Sequence, residues 1–514
     1  MKLKEDIVVL IKSLSKSEKR YFKLFVSNSS IGEGNHYIKL FDLIDNTGSA
    51  EKKVIQKLYG NDAFMKNGFS VYKGFLYKQI LKSLKAYHSE KSIDDKILEL
   101  IRDSIVLFNK NLFSNAAKIL EKAKTIALKY EKHTLLLEIV RWQKKIINAW
   151  SIYEDPNEKE VIMVFEEEKL MINKIDNASN HWKQNALMYI SYRISGVART
   201  EEDIRRYSAI IDVPFLKNQE LALSFHAKRD FYITWQYYFG AVNNLEETLK
   251  YGKNVVALME TYPHQIEDNP VHYNQALHNL LFTLQCMEKY KEFFILLPKL
   301  KSMLSKFQLP LSDLIRSYNT EFVTYIATGQ YKKASLLLPK IETLIKEKKN
   351  DNELYDLFFI ASKAELHFGN GDYHKALANI NIILNNKKNY LSQDHYNFCR
   401  IFQLIIHFEK ENAELMPYLL KSFYRHLMKK NQLYKVEKIF LKFIATSLEN
   451  KTVKDQIEDF KLLRDELLNI SEDPMEAIFL ANFDVISWLQ SRIEKRPFGE
   501  VLREKWGYPL KEEK

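Results

Sequence analysis

At 514 residues, with 46% hydrophobic and 28% charged side chains, the chain has the balance of a folded protein and exceeds the size at which a single core stops growing, so disorder is excluded and several domains or a repeat array is expected. Glycine (14) and proline (11) are scarce, roughly 5% together against a usual ~12%, and apolar residues recur at helical rather than strand spacing, so the fold class expected is all-α. The net charge is +11, and residues 1–90 hold 16 Lys/Arg against 9 Asp/Glu; such an excess fits a nucleic acid or an acidic partner, or the wet faces of amphipathic helices.

Two cysteines, Cys286 and Cys399, supply neither a disulfide framework nor a cysteine zinc site, which fits a reducing compartment. The apolar stretch from Ile7 to Ile11 follows Glu5 and Asp6 and is too short for a signal peptide, and no apolar run reaches membrane length. A cytoplasmic protein without membrane insertion is expected.

Along the chain, helices are expected near 3–13, 16–27, 36–45, 50–59 and 69–87, and these follow no common repeat, which sets residues 1–90 apart as a basic helical block. Ser15 with Glu18 forms a capping-box pattern, and Ser92 with Asp95 a weaker one. Asp155-Pro156 before Glu158 and Asp473-Pro474 before Glu476 each offer an N-cap, a proline at the first helical position and an early acid. The helix over 69–87 carries Lys73, Lys78, Lys82 and Lys85. These are the candidate contacts if the block resembles a helix-turn-helix and the protein is a nucleic-acid-binding regulator. Lys78, Lys82 and Lys85 equally form the stripe of an ordinary surface helix, opposite Leu76, Ile80 and Leu84.

Internal repetition organises the rest. Tyr290 to Leu300 aligns without gaps on Tyr331 to Ile341, with six identities that include Pro298 and Pro339. A further copy starts at Tyr373, with Ala376, Ile380 and Ile383 in the places of Ala334, Leu338 and Ile341. Phe113, Ala116, Leu120 and Ala123 repeat the pattern earlier, with Leu100, Ser104 and Leu107 suiting a preceding helix. A small residue at a fixed place lets paired helices approach, and the aromatic fills their junction.

This pattern resembles the tetratricopeptide repeat of bacterial helical-repeat proteins, most closely at Gly371-Asp-Tyr-His-Lys-Ala376. The resemblance implies a right-handed superhelical α-solenoid over residues 91–410, clearest at 94–128 and 274–388, degenerate between 130 and 275, and closed by a helical capping region over 411–514. The spacing of 41–42 residues departs from the family's period of about 34, and the proline that usually ends the second helix is missing, so longer helices or loops are expected.

No motif for phosphate binding, dinucleotide binding, metalloprotease or hydrolase chemistry occurs. His264, His272 and His278 are not spaced to share one helix face, Glu166 to Glu168 reads as a solvated face, and the aromatic run of Phe231, Tyr232, Trp235, Tyr237, Tyr238 and Phe239 reads as packing. No metal, cofactor or catalytic residue is expected, and the chain is read as a non-enzymatic scaffold. The resemblance places a partner on the concave surface formed by the first helices, which assigns Gln275, His278, Phe282 and Gln285, then Arg316, Asn319 and Val323, then Glu365. Such a mixture of amide, imidazole, guanidinium and aromatic groups suits an extended peptide or protein segment.

Overall fold

The aromatic residues that anchor the alignment each open a helix: Phe113–Lys129, Tyr290–Lys306, Tyr331–Glu347 and Tyr373–Leu384. In this computed structural model the described residues are 3–29, 34–51, 69–88, 92–150, 158–347, 353–386, 393–412, 414–430, 433–446, 453–470, 476 and 483–509. Among them are 24 α-helices, two short 3-10 turns and no strand. Three positions after Phe113, Tyr331 and Tyr373 stand Ala116, Ala334 and Ala376, all fully buried, whereas Tyr290 has the larger and equally buried Phe293 there.

One turn conformation links the paired helices. Asn111, Glu131, Asn243, Glu288, Gly329, Gly371 and Glu411 all have φ between 51° and 77°, the left-handed region that costs a non-glycine residue about 1–2 kcal/mol. In each turn the following N–H donates to a carbonyl five residues back: Leu112 to Leu107, Lys132 to Ala127, Asn244 to Phe239, Lys289 to Leu284, Gln330 to Tyr325, Asp372 to His367 and Asn412 to His407. This six-to-one bond satisfies a carbonyl that the helix end leaves unpaired.

The chain divides into two compact units, residues 1–173 and 174–514. Within the first, helices Leu3–Ser13, Lys16–Ser29, Gly34–Thr47 and Phe69–His88 enclose a core that includes Ile7, Ile11, Phe22, Leu40, Phe41 and Ile80. The capping box is present: Glu18 N–H donates to Ser15 Oγ at 3.2 Å and Ser15 N–H to Glu18 Oε2 at 2.7 Å. Ser92 Oγ likewise accepts from Asp95 N–H. A separate cluster packs Ile93–Phe108, Phe113–Lys129 and His133–Trp150, where Ser104 Oγ donates to the Ala116 carbonyl at 2.9 Å across the hairpin. Most of the helix expected at 50–59 and both Asp-Pro pairs lie outside the described residues.

Within the second unit, five hairpins follow one another: Phe225–Ala241 with Leu245–Thr261, Pro270–Cys286 with Tyr290–Lys306, Leu311–Ala327 with Tyr331–Glu347, Glu353–Gly369 with Tyr373–Leu384, and Gln393–Glu409 with Met416–Lys429. Each packs on its successor. Part of the stretch expected to hold degenerate repeats instead carries one uninterrupted helix of 38 residues, Glu158–Ser195.

The C-terminal residues return along the row of turns. Trp488 Nε1 donates to Glu409 Oε1 at 2.7 Å, and Tyr373 OH and Arg492 reach Glu409 Oε2 at 3.1 and 3.3 Å. Further on, Arg503 Nη1 donates to the Gly329 carbonyl at 2.7 Å, and the Trp506 ring meets Tyr290 edge-on at 4.7 Å. Val485–Glu494 and Phe498–Lys505 therefore form a strap that crosses the hairpins in reverse order. Arg199 and Glu437, 238 residues apart in sequence, add a buried ion pair at 3.0 Å, with the Arg199 guanidinium 3.6 Å from the Tyr434 ring. In a plain stack each repeat touches only its neighbours, so the strap and this pair make the unit more than a sum of hairpins.

Two glycines separate the cost of the turn from the cost of the strap. A Cβ at Gly371 meets nothing within 4 Å, whereas one at Gly329 meets the Gly499 carbonyl at 2.5 Å. Gly371→Ala is expected to cost about 1–2 kcal/mol in urea denaturation, and Gly329→Ala about 1–3 kcal/mol more; equal losses would mean that the strap is not seated tightly. For the buried pair, Arg199→Met is expected to cost about 3–5 kcal/mol, largely recovered when Glu437→Leu is added.

Candidate functional site

The first helices of consecutive hairpins in the second unit are joined by side chains, because each presents short polar residues toward the next. Between Pro270–Cys286 and Leu311–Ala327, His278 Nε2 lies 2.8 Å from Ser317 Oγ and His278 Nδ1 lies 3.1 Å from Thr320 Oγ1. The Ser317 and Thr320 hydroxyls also lie 2.7 and 3.0 Å from the Asp313 and Arg316 carbonyls, and in the neutral ring one nitrogen donates to its hydroxyl while the other accepts. Burial, aided by Arg316, holds His278 well below the usual histidine pKa, and the ring is neutral. Gln285 Nε2 extends the seam to Thr320 O at 3.1 Å and Thr324 Oγ1 at 2.5 Å.

The preceding hairpin joins in the same way. Arg229 pairs with Asp230 at 2.8 Å and donates to His272 Nδ1 at 2.7 Å. Burial, with Arg229 and His226 nearby, pushes His272 down to about 4, so it too is a neutral acceptor. Asp230 is raised by burial, against the pull of Arg229. Tyr237, raised by burial, is hydrogen-bonded to Asn279.

The assigned concave residues therefore take different roles. His278 and Gln285 are seam residues. Arg316 Nη2 donates to Asp313 Oδ1 at 2.6 Å, while its Nε and the Asn319 Oδ1 are buried without a hydrogen-bond partner among the described residues. Gln275 is exposed and Phe282 is 58% exposed, on the face of Pro270–Cys286 that by helical register also holds His278. Val323 is half-buried. On Glu353–Gly369, part of the Glu365 side chain is exposed, yet its carboxyl group is enclosed by protein, and burial pushes it up to about 8. What remains open is the Phe282 ring and the Gln275 amide, and helical register alone does not separate them from His278 on the same face.

Among the other sequence candidates, Lys78, Lys82 and Lys85 are exposed on Phe69–His88, while Lys73 is only 5% exposed and lies off that stripe. Glu167 pairs with Lys124 at 2.6 Å and Glu168 pairs with Lys144. Trp235 and Phe239 stack on Tyr251, and Phe231 is buried. No group of three or more His, Cys, Asp or Glu placed to hold a metal occurs among the described residues, and no helix among them is long and apolar enough to cross a membrane.

Compared with protein-family models, curated proteins and solved structures, the chain finds no match.

Burial raises the Glu365 carboxyl above its unfolded value of 4.5, so the unfolded chain ionises there first. Ionisation opposes folding once the pH exceeds 4.5, and the loss completes near pH 8. The melting temperature of Glu365→Gln is expected to gain on the wild type between pH 4.5 and about 8 and to hold a constant lead above that; parallel profiles would show an ordinary, solvated carboxylate.

Proposed function

We propose that this chain is a non-enzymatic, cytoplasmic interaction scaffold. Tetratricopeptide-like hairpins form its solenoid, and it holds an extended peptide or protein segment along its first helices. The observation that carries the reading is an exposed aromatic and an exposed amide on one first helix: Phe282 and Gln275 stand out from Pro270–Cys286 on the face that His278 joins to the next helix. A peptide side chain would cover the Phe282 ring, and a peptide backbone would hydrogen-bond the Gln275 amide. The seam supports the same role because neutral His278, Ser317 and Thr320 fix the spacing of adjacent helices before any partner arrives.

The non-enzymatic part of the reading is supported by how the polar groups are used. The two buried histidines of this face are neutral and committed to helix-to-helix hydrogen bonds. Both cysteines are free thiols, in keeping with a reducing cytoplasm.

Selection of unstructured peptides on the intact chain tests this. Selected peptides are expected to lose roughly thirtyfold in affinity, about 2 kcal/mol, when Phe282→Ala and Gln275→Ala are combined, with the circular dichroism unchanged. Phe282→Ala alone should give the larger part of that loss. Peptides that bind all these variants as they bind the wild type would remove the proposal.

A further inference from the structure

The hairpin Met416–Lys429 and its successor Lys435–Thr446 hold a concentration of charge found in neither the turns nor the seam. Residues 415–446 contain seven Lys/Arg and one acid, a net +6. With +7 on residues 1–90, the remainder of this +11 chain is at −2. The one acid, Glu437, is turned inward and paired with Arg199, so its charge does not reach the surface. Lys421, Arg425, Lys429, Lys430, Lys435, Lys438 and Lys442 are all exposed, and none has an ion-pair partner among the described residues. Lysines elsewhere in the unit are commonly paired, as in Lys253–Glu292, Lys299–Glu260 and Lys363–Glu342.

The arrangement is regular. Lys421, Arg425 and Lys429 fall at i, i+4 and i+8 on one helix, and Lys435, Lys438 and Lys442 at i, i+3 and i+7 on the next, which spaces cations about 4.5–6 Å apart along each axis. Tyr418 is 75% and Tyr424 47% exposed on the first of these helices. The neighbouring Arg400 has a buried Nε without a partner among the described residues, and its guanidinium lies 5.8 Å from the Tyr396 ring. His426 is held below its ordinary pKa by burial and by Arg400, Lys430 and Lys429, a sign of the positive field there.

We propose that this pair of helices binds single-stranded nucleic acid, with phosphates on the cation rows and bases stacked on Tyr418 and Tyr424. Regularly spaced unpaired cations match a polyanion whose charge repeats along its length, and exposed aromatic rings supply stacking that tolerates any sequence. Lipid fits less well. Met416, Phe423, Leu427, Val436, Phe440 and Ile444 face the core, so the apolar side of the hairpin is already covered. This surface is separate from the peptide face and does not depend on it.

Fluorescence anisotropy of the full chain with a labelled oligouridine of about 20 nucleotides provides the test. Binding is expected to fall steeply between about 50 and 200 mM salt. Combining Lys421→Ala, Arg425→Ala and Lys429→Ala should weaken it at least about tenfold and flatten the log–log salt slope by about 2. Tyr418→Ala with Tyr424→Ala should weaken it about tenfold at an unchanged slope. Removing the same charge elsewhere, as Lys118→Ala, Lys122→Ala and Lys129→Ala on Phe113–Lys129, should change affinity less than about twofold. The substituted side chains are exposed, and circular dichroism checks that each variant folds. No binding at low salt, or equal losses from the two lysine sets, would overturn the assignment. So would tyrosine variants that bind normally, or capture of phosphatidylserine vesicles or polyglutamate in preference to the oligonucleotide.

Discussion

The hairpins of this chain depend on a residue held at positive φ where one helix gives way to the next. The six-to-one hydrogen bond that follows fixes how the second helix leaves, and so brings the small residue of that helix against the first. Where the residue is Gly329, the bare backbone also admits Gly499 and the C-terminal strap, since any side chain there would strike the Gly499 carbonyl. Turn geometry and strap seating are thus coupled at one position. At Gly371 the turn alone needs the glycine.

Polar residues carry out much of the work between hairpins. Ser104 reaches across a hairpin in the first unit, and His278, Ser317, Thr320 and Gln285 join consecutive first helices in the second. Neutral imidazoles suit this position because one nitrogen donates and the other accepts, so a buried ring is satisfied without a counter-ion. The Arg199–Glu437 pair is costlier to bury, and its position between distant segments makes it a specifier of which elements meet rather than a source of net stability.

The same ion pair bears on the surface chemistry. By drawing the single acid of 415–446 inward, it leaves the outer face of that hairpin uniformly cationic. A buried contact and an exposed electrostatic field are set by one side chain, Glu437, and the face that exposes Phe282 and Gln275 draws on a different set of residues altogether.

The all-α class and the register of the clearest hairpins are legible in the residues alone. Helical periodicity and scarce glycine and proline exclude sheets, and Phe113, Tyr290, Tyr331 and Tyr373 each open the helix they mark. The sequence also held the basic run of 415–446, although composition alone does not show that Glu437 points inward. The turns at Glu131, Asn243, Glu288 and Glu411 escaped notice because Asn and Glu carry no glycine signal while adopting the same backbone. Only the tertiary structure decided which polar residues are seam and which are free, since His278 and Phe282 lie four residues apart on one helix face and differ in what the next helix places against them. It alone decided the return of the strap and the Arg199–Glu437 contact as well, because both join residues more than a hundred positions apart and local periodicity carries no record of such pairings.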